Sequence, residues 1–472
     1  MFRGRVRQVH FIGVGGIGMS GLAEILRTLE FDVSGSDLRE GETTKRLARL
    51  GVRIDVGHVA QNVRDADVVV YSSAIPAENP EMVEARALGI PVITRAEMLA
   101  ELMRVKYGVA IAGSHGKTTT TSLVATLLRA AGFDPTVVVG GRMQALGTNA
   151  KLGAGDLLVA EADESDGSFL RLTPTIAVVT NIDPEHLDFY HSHERIKDAF
   201  VEFIEKVPFY GLAVLCLDHP DVQDLLPRIR RRHVTYGLSP QADYSARHLT
   251  HRGTVSTFMA YRRNEPLGEF ALRMPGQHNV LNALAAIAVG DELEVPLDEM
   301  KEALATFGGV ARRFSLVGEV DGVSLVDDYG HHPAEIKATL TAARNAFDGK
   351  VIVAFQPHRY TRTQDLFDDF ARAFNDADHV LVTDIYPAGE KPIEGIDSAA
   401  LVRAIAEHGH HSVAYVGDRS ELAQRLASLA TPGDGVIALG AGDINRVLTQ
   451  VQSELEVMRG ASVESPAKGS EA

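Results

Sequence analysis

Residues 107–133, "YGVAIAGSHGKTTTTSLVATLLRAAGF", decide the class of fold, because three local patterns follow one another there without a break. An apolar run extends to residue 112, a turn of glycine and polar residues follows it, and a helical pattern begins at residue 117. A strand that leads through a polar turn directly into a helix is the repeating unit of α/β folds with a parallel sheet. The stretch therefore predicts such a unit at the start of an α/β domain.

The turn in this stretch predicts a phosphate-binding loop. Glycines let backbone N–H groups converge on a phosphate at the N-terminus of the following helix, where the helix dipole also favours negative charge. Lys117 is expected to contact the β- and γ-phosphates of ATP, and the Thr118 hydroxyl to bind Mg²⁺. The loop is a variant, since the usual G-x-x-x-x-G-K-[ST] pattern has glycine where this chain has Ile111. The predicted ATP-binding residues of the loop are Gly113, Ser114, His115, Gly116, Lys117, Thr118 and Thr119.

Polar side chains follow the next two apolar runs at the points where those runs end. Glu161 closes "DLLVAE", and His186 lies in "TNIDPEHLDFY". Open α/β sheets present their ligands at the carboxyl ends of strands, and a carboxylate there suits a metal ion that faces a triphosphate. A lone histidine is more often structural than a ligand, so both roles stay open for His186. The candidate metal ligands are Thr118, Glu161 and His186.

A further helix begins in "GQHNVLNALAA", with His278, Asn279 and Asn282 on its first turns. Side-chain amides are favoured as caps of helix N-termini, and they also bind the edge of an adenine base. The sequence alone does not separate these two roles.

Near the start of the chain, "FIGVGGIGMSG" (residues 11–21) spaces Gly13, Gly15 and Gly18 as G-x-G-x-x-G after an apolar run. This is the outline of a dinucleotide-binding turn. It predicts either a nicotinamide or flavin cofactor, as in an oxidoreductase, or the diphosphate of some other ligand. Asp37, at the end of "DVSGSD", would contact a ribose hydroxyl in either case.

The last third of the chain gathers cationic side chains after two apolar runs. "DDYGHHPAEI" and "FQPHRYTRT" contain Asp328, His331, His358, Arg359 and Arg362. The planar fork of arginine suits bidentate binding of carboxylate or phosphate. Arginines from outside a phosphate-binding loop commonly complete a site for phosphoryl transfer.

Composition excludes several classes of partner. Lysine and arginine number 47 against 63 acidic residues, which gives a net charge of −16. An acidic chain lacks the basic face that non-specific binding to nucleic acid or to an anionic membrane requires. We therefore expect small-molecule substrates, and neither nucleic acid nor membrane as a partner.

The remaining global features predict a cytoplasmic protein. The first residues, "MFRGRVRQVHFIGVGG", lack the long apolar segment of a signal peptide, and no run approaches the roughly 18–20 apolar residues of a membrane span. The only cysteine, Cys216, lies in an apolar run and excludes an intrachain disulfide.

At 472 residues the chain is too long for one core. We predict three α/β domains, each with a mostly parallel Rossmann-like or P-loop-like sheet, and a small antiparallel addition near residues 243–275 of the middle domain. The predicted domains are residues 1–106, 107–313 and 314–458, followed by a disordered tail of small and polar residues at 459–472.

Ten motifs, in this order, resemble those of one family. They are "GVGGIGMSG", "GSHGKTTTTS", "EADESDGSF", "TNIDPEHLDFY", "GQHNVLNALAA", "ARRF", "DDYGHHP", "QPHRYTRT", "DIYPAGE" and "GAGD". The family is the Mur ligases, and the resemblance runs from residue 9 to about residue 446. It implies one domain for a UDP-sugar, one for ATP and one for the incoming amino acid.

The resemblance is strongest to the branch of the family that adds L-alanine to UDP-N-acetylmuramate. It implies an ATP- and Mg²⁺-dependent ligase of peptidoglycan synthesis, and hence of cell shape and division, that works in the cytoplasm as a monomer or homodimer. The muramoyl carboxylate would become an acyl phosphate, which the amine of L-alanine then attacks. The alternatives are a murein tripeptide recycling ligase, a NAD-dependent oxidoreductase and a non-catalytic ATP-binding regulator.

By the same resemblance, residue roles follow position by position. The implied catalytic residues are Lys117, His186, His331, Arg359 and Arg362. The implied adenosine contacts are His278, Asn279, Asn282 and Asp328, with Asp328 at the ribose or at the domain hinge. The implied UDP-substrate residues are Gly13, Gly15, Gly16, Gly18, Asp37, Ser72, Ser73 and Arg313.

Overall fold

A computed structural model of the chain describes residues 6–72, 74–139 and 150–463. Across these residues the strands form three sheets of five, ten and six strands, which follow one another along the chain. Most of the strand pairs are parallel, with helices in the connections. The predicted fold class is confirmed.

The first sheet is parallel and has the order β3-β2-β1-β4-β5. The direction in which strands are added reverses between β1 and β4, and ligands of such sheets bind where this reversal occurs. The strands are β1 Gln8–Ile12, β2 Asp32–Asp37, β3 Arg53–Val56, β4 Val68–Tyr71 and β5 Val92–Thr94. The helices are α1 Ile17–Thr28, α2 Glu42–Arg49, α3 Pro80–Ala87 and α4 Arg95–Met103, with a 3₁₀ turn at Ala60–Val63.

The second sheet has the order β15-β14-β13-β12-β11-β10-β6-β9-β7-β8. Its strands are β6 Tyr107–Ala112, β7 Thr136–Val138, β8 Ala150–Lys151, β9 Leu157–Glu161, β10 Ile176–Val179, β11 Leu212–Cys216, β12 His233–Gly237, β13 Tyr244–Arg252, β14 Val255–Arg262 and β15 Glu265–Leu272. Its helices are α5 Lys117–Ala130, α6 Leu187–Tyr190, α7 His193–Glu205, α8 Pro220–Leu225, α9 Gln277–Glu292 and α10 Leu297–Ala305, with 3₁₀ turns at Ser168–Arg171 and Leu226–Arg228.

Two features of this sheet matter for the site. Strand β6 lies between β9 and β10 and pairs with both in parallel, so the loops after these three strands share one edge. Two-residue turns join β13 to β14 and β14 to β15, and strands joined so tightly pair antiparallel. The antiparallel addition predicted near residues 243–275 is therefore present.

The third sheet has the order β16-β17-β21-β18-β19-β20 and is parallel except for the β16–β17 hairpin. Its strands are β16 Ser315–Val320, β17 Val323–Asp328, β18 Val351–Phe355, β19 His379–Val382, β20 Val413–Tyr415 and β21 Gly435–Leu439. Its helices are α11 Pro333–Ala346, α12 Tyr360–Asp365, α13 Phe367–Ala371, α14 Ser398–Glu407, α15 Arg419–Leu429 and α16 Val447–Val463, with a 3₁₀ turn at Ile444–Arg446.

The chain divides into two compact units. The first comprises Met1–Leu249, Phe258–Leu272 and Val280–Val310, and the second Thr250–Thr257, Arg273–Asn279 and Ala311–Ala472. The first unit contains the first two sheets because one buried apolar cluster joins them, from Phe11 and Leu22 to Leu158 and Phe200.

Two further predictions concern the C-terminal tail and membrane-spanning helices. Helix α16 continues to Val463, so the first five residues of the predicted disordered tail are helical, while residues 464–472 lie outside the described part. In the helices that the structure describes, none combines the length and the apolar character that crossing a membrane requires.

Candidate functional site

The first glycine loop connects β1 to α1, where the strand order of the first sheet reverses. The N–H groups of Gly13 and Val14 donate to the Ser36 carbonyl at 2.9 and 3.0 Å, and that of Gly15 donates to the Asp37 carboxylate at 2.8 Å. Both acceptors lie at the end of β2, so the neighbouring strand fixes the shape of the loop. Asp37, a predicted ribose contact, has the loop backbone as its partner.

The loop has little room for a side chain at Gly15 and Gly16. A Cβ on Gly15 would lie 2.7 Å from Asp37 Oδ2, and one on Gly16, the N-cap of α1, would lie 3.3 Å from the Gly13 carbonyl. A bare backbone is what a diphosphate needs for close approach to a helix N-terminus. Of the two predicted serines, Ser72 accepts a hydrogen bond from the Ala74 N–H at 3.3 Å, and Ser73 lies outside the described residues.

The second glycine loop connects β6 to α5, as the strand–loop–helix pattern predicts. Gly113 and Gly116 have φ of +130° and +81°, in the region that favours glycine. A Cβ on Gly113 would lie 2.1 Å from Thr180 Oγ1, and one on Gly116 would lie 2.6 Å from Asn282 Oδ1. Both glycines are therefore required by backbone conformation and by space.

Residues after β10 hold this second loop in place. Asn181 Oδ1 accepts from the His115 N–H at 2.7 Å, and the Asp183 N–H donates to Ser114 Oγ at 2.8 Å. His115 Nε2 lies 2.9 Å from the Asp183 carboxylate. Burial opposes ionisation of Asp183, but His115 and His219 beside it hold the pKa of that carboxyl far below its usual range.

The Lys117 side chain turns back over the loop. Its Nζ donates to the carbonyls of Gly113 and Ser114 at 2.6 and 3.1 Å, and it lies 2.9 and 2.8 Å from the two carboxylate oxygens of Glu164. Burial alone would lower the pKa of Lys117, but Glu164 outweighs it and raises that pKa, with help from Asp163 and Glu161. The loop thus presents a cation at the end of the sheet.

One group of residues within this unit is close enough to share a metal ion. Ligand atoms of Glu164, Glu185 and His186 all lie within 4.8 Å of one another, and His186 Nε2 is 3.9 Å from both carboxylates. The sequence predicted His186 as a ligand but neither glutamate. Glu164 follows β9, as Glu161 ends it, and Glu185 follows β10, as His186 does, so the polar turns after these strands were the feature that could have indicated both glutamates.

The other predicted metal ligands lie nearby in the chain but outside this group. Glu161 is the last residue of β9 and pairs in register with Ile111 of β6. Thr118 is the second residue of α5 and is half-buried, and Thr119 is buried. Their roles as ligands or ATP contacts stay predictions.

The predicted adenosine contacts have partners within the chain. Asn282 Oδ1 accepts from Thr120 Oγ1 at 3.1 Å, and Asn279 Nδ2 donates to the Pro275 carbonyl at 2.7 Å. Burial, with a smaller effect from Arg313, lowers the pKa of His278 to about 4. These contacts agree with the alternative that the residues stabilise the start of α9.

Asp328, at the end of β17, organises the chain around it in the second unit. Its two carboxylate oxygens accept the N–H groups of Phe314 and Gly330, both at 2.7 Å, and Thr339 Oγ1 lies 3.3 Å away. Burial raises the pKa of Asp328 to about 6. These hydrogen bonds give Asp328 a structural role between two loops.

The predicted cations of the second unit lie close together after β17 and β18. The rings of His331 and His358 are 5.9 Å apart, and Arg362 Nη1 is 3.4 Å from His358 Nδ1. Burial, assisted by the neighbouring arginines, lowers the pKa of each of the two histidines to about 4. The arginines therefore carry the positive charge of this group.

Arg313 and Arg359 extend the group on either side. Arg313 Nη1 lies 3.3 Å from Glu335, whose carboxylate also lies 3.3 Å from His331 Nδ1. Arg359 precedes α12 with φ of +71° and ψ of +140°, a conformation that favours glycine strongly. An arginine in such a strained position is a sign of function.

Comparison with known proteins places these features in one family. Three family models match successive parts of the chain: "Mur ligase family, catalytic domain" at residues 8–107, "Mur ligase middle domain" at 111–290 and "Mur ligase, glutamate ligase domain" at 312–442. The chain is 73% identical over 459 residues to the UDP-N-acetylmuramate–L-alanine ligase of Sorangium cellulosum, covering 97% of this chain and 98% of the relative. It is 57% identical to that of Geotalea daltonii, covering 96% and 99%.

Solved structures agree. The crystal structure of UDP-N-acetylmuramate-alanine ligase from Thermotoga maritima is similar with a TM-score of 0.79 and 32% identity, covering 97% of this chain and all of that one. A murein peptide ligase from Psychrobacter arcticus shares the fold, with a TM-score of 0.67 and 23% identity, covering 95% of this chain and 98% of that one. The order of the domains, the two glycine loops and these comparisons agree: the chain belongs to the Mur ligase family.

Proposed function

We propose that this protein joins L-alanine to UDP-N-acetylmuramate in peptidoglycan synthesis and converts ATP to ADP and phosphate. Relatives with that name match almost the whole chain at up to 73% identity. The structural observation that carries the proposal is the Lys117 ammonium, which the second glycine loop holds against the acidic turn after β9. A triphosphate and a divalent cation would both bind there.

The chemistry requires activation of a carboxylate. One muramoyl carboxylate oxygen attacks the γ-phosphorus of ATP, and the bond from that phosphorus to the β–γ bridging oxygen breaks. The amine of L-alanine then attacks the acyl carbon of the acyl phosphate, and phosphate leaves as the amide forms. Both partners of the first step are anions, so the Lys117 cation is needed to stabilise the transition state.

The donor set near Lys117 fits a magnesium ion. Glu164 and Glu185 offer carboxylate oxygens, which Mg²⁺ prefers, and His186 offers a ring nitrogen within the same 4.8 Å. When bound, Mg²⁺ neutralises charge on the phosphate oxygens. We include Thr118 and Glu161 in the proposed set of ligands, as the resemblance implies.

We assign the cationic residues of the second unit to anionic groups of the substrates. Arg359 and Arg362 would bind the carboxylate of L-alanine or the acyl phosphate, and His331 would lie beside them. The support is their grouping after β17 and β18, where the carboxyl ends of parallel strands present ligands. The assignment of His278, Asn279 and Asn282 to the adenine stays a prediction.

Two substrates of this step, ATP and UDP-N-acetylmuramate, carry phosphates, and such molecules do not cross membranes unaided. We therefore propose the cytoplasm as the location, and a contribution to wall growth, cell shape and division. A monomer or homodimer remains our expectation, which sedimentation equilibrium tests.

The decisive experiment measures phosphate release from ATP and Mg²⁺ by the purified protein. We expect release only when UDP-N-acetylmuramate and L-alanine are both present. Turnover with the murein tripeptide in place of L-alanine, and none with L-alanine, would assign the protein to peptide recycling instead. NADH is the control ligand, and tight binding of it would favour an oxidoreductase.

A further inference from the structure

The first residue of α4, Arg95, lies between the two glycine loops of the first unit. Its Cδ, Nη1 and Nε atoms lie 2.9, 3.2 and 3.3 Å from the position of a Cβ on Gly18, so the side chain packs on the first turn of α1. Its Nη2 atom lies 3.7 Å from Oδ2 of Asp163, two residues beyond the end of β9. Arg95 therefore spans from the helix of the first glycine loop to the acidic turn beside Lys117.

The surroundings of Arg95 do not explain a cation at this place. A positive charge in the first turn of a helix opposes the helix dipole. The cap of α4 is already complete, because Thr94 and Glu97 exchange hydrogen bonds at 2.8 and 3.2 Å. At 3.7 Å the Asp163 carboxylate forms an ion pair with Arg95 that is longer than a hydrogen bond, so an anion that accepts hydrogen bonds from the guanidinium would compete with it.

A cavity of about 540 Å³ opens beside Arg95. Its wall combines the apolar Leu170 and Phe189 with charged side chains, which are the cations Arg171 and Lys206 and the carboxylates Asp166 and Glu202. A cavity of this volume is large enough for a small molecule. The guanidinium thus borders a space with room for a ligand.

We propose that Arg95 is a binding residue for the UDP-linked acid, paired with Asp163 until an anionic group of that substrate takes the place of Asp163. This inference rests on the proposed function. The diphosphate and the lactyl carboxylate of UDP-N-acetylmuramate are both anions of the kind that a guanidinium binds.

Calorimetric titration with UDP-N-acetylmuramate, without ATP or Mg²⁺, tests the proposal. Arg95→Ala should weaken binding by about tenfold or more, since a hydrogen-bonded charge is lost, and Arg95→Lys should recover part of the loss. Arg104→Ala is the matched control, because Arg104 lies at the other end of α4, is exposed, and pairs with Glu101 at 2.7 Å. Binding by this control should equal that of the wild type.

The Asp163→Asn variant distinguishes a role of Arg95 in substrate binding from a purely structural role. Removing the competing carboxylate frees Arg95, so this variant should bind the substrate more tightly than the wild type. The gain should disappear when Arg95→Ala is combined with it. A purely structural role would make both substitutions weaken binding, and that result would overturn the proposal, as would wild-type affinity in Arg95→Ala.

Two further comparisons identify the anion that Arg95 binds and distinguish the Arg95 proposal from the proposed function. UDP-N-acetylglucosamine has the diphosphate but lacks the lactyl carboxylate. Equal losses for both nucleotide sugars in Arg95→Ala would assign Arg95 to the diphosphate, and a loss for the muramate alone would assign it to the carboxylate. Wild-type binding without L-alanine-dependent phosphate release would contradict the proposed function and leave the Arg95 result valid. Binding of neither sugar by the wild type would overturn both.

Discussion

Glu164 links the lysine of the second glycine loop to the candidate metal ligands. Its carboxylate contacts Lys117 Nζ at 2.8 and 2.9 Å and lies 3.9 Å from His186 Nε2. The same buried side chain thus serves a cation on the loop and a histidine of another strand end. We therefore expect substitution of Lys117 to remove phosphate release and substitution of Glu164 to change the magnesium requirement.

Lys117→Ala should abolish phosphate release while the protein stays folded. Loss of one such donor to a transition state typically costs about 3–4 kcal/mol. Lys197→Ala is the control, because Lys197 also pairs with carboxylates, at 2.6 and 2.8 Å from Asp221 and Asp224, away from the loop. Turnover and the thermal unfolding curve are measured for both. Activity of Lys117→Ala within a few-fold of the wild type would contradict the phosphate-binding assignment.

Glu164→Gln should raise the magnesium concentration needed for half-maximal activity, because an amide is a weaker ligand than a carboxylate for a hard cation. Glu161→Gln should do the same if both residues are ligands. A magnesium titration of each variant makes the comparison. If the requirement is unchanged in one variant, that residue is not a metal ligand.

At single residues, sequence patterns did not reveal the contacts that side chains make within the chain. Asp37 was expected at a ribose and Asp328 at a ribose or at the domain hinge; the structure shows their carboxylates accepting backbone N–H groups, and the ligand contacts stay predictions. Such contacts depend on which loops the fold brings together, and residue spacing carries no information on that. Glu164 and Arg95 were missed for the same reason.

Among the elements, the strand–loop–helix units were predictable because each is local in sequence. The glycine loops follow β1 and β6, where the strand order reverses or a central strand ends between two neighbours. The apolar run, the glycines and the following helix together specify such a loop within a few residues. The bracing of the second loop by residues 180–183 is not local, and only the parallel pairing of β6 with β10 creates it.

Gly15→Ala tests the first loop as an element. Its Cβ would lie 2.7 Å from Asp37 Oδ2, so the Gly15–Asp37 hydrogen bond cannot be kept. Affinity for UDP-N-acetylmuramate should fall, whereas affinity for ATP should be unchanged, because the proposed ATP site is the other loop. Calorimetry measures both.

Gly41→Ala, at the N-cap of α2, is the matched control, since a Cβ there meets nothing within 4 Å and φ is −145°. It should bind both ligands as the wild type does. Equal losses of ATP and UDP-sugar affinity in Gly15→Ala would contradict the assignment of the two loops to two ligands. Gly16→Val should reproduce the selective loss.

For the whole molecule, pH dependence follows from buried histidines of the second unit. The pKa values of His278, His331 and His358 are lowered to about 4, chiefly by burial. The unfolded chain binds these protons near pH 6.5, so their contribution to stability is present above that pH and is lost as pH falls towards about 4. Asp328, with its pKa raised to about 6, acts in the opposite direction. Burial also lowers the pKa values of His251 and His410 and raises that of Asp327, so five histidines of the second unit act against two aspartates and predict a net loss on acidification.

Thermal unfolding between about pH 7 and about pH 5 measures this loss. The unfolding temperature should fall over that interval, and His358→Gln should reduce the fall. His408→Gln, at an exposed position, is the control and should leave the pH dependence as it is. An unfolding temperature that does not change with pH would contradict the prediction.

The number of domains could be predicted from the sequence, but their grouping could not. Three cycles of strands and helices are visible as patterns, and three sheets are present. One apolar cluster, which includes Leu22 of α1 and Phe200 of α7, joins the first two sheets into a single compact unit, and its formation depends on which apolar faces pack together. Hydrophobic periodicity identifies such faces without identifying their partners.

The strained backbone at Arg359 affects stability and activity in opposite directions. A residue other than glycine at φ of +71° and ψ of +140° costs of the order of 1–3 kcal/mol. Arg359→Gly would relieve that strain, so it should raise the unfolding temperature while it removes the guanidinium and lowers turnover. A variant that is more stable and less active would show that this arginine is retained for activity although it destabilises the fold.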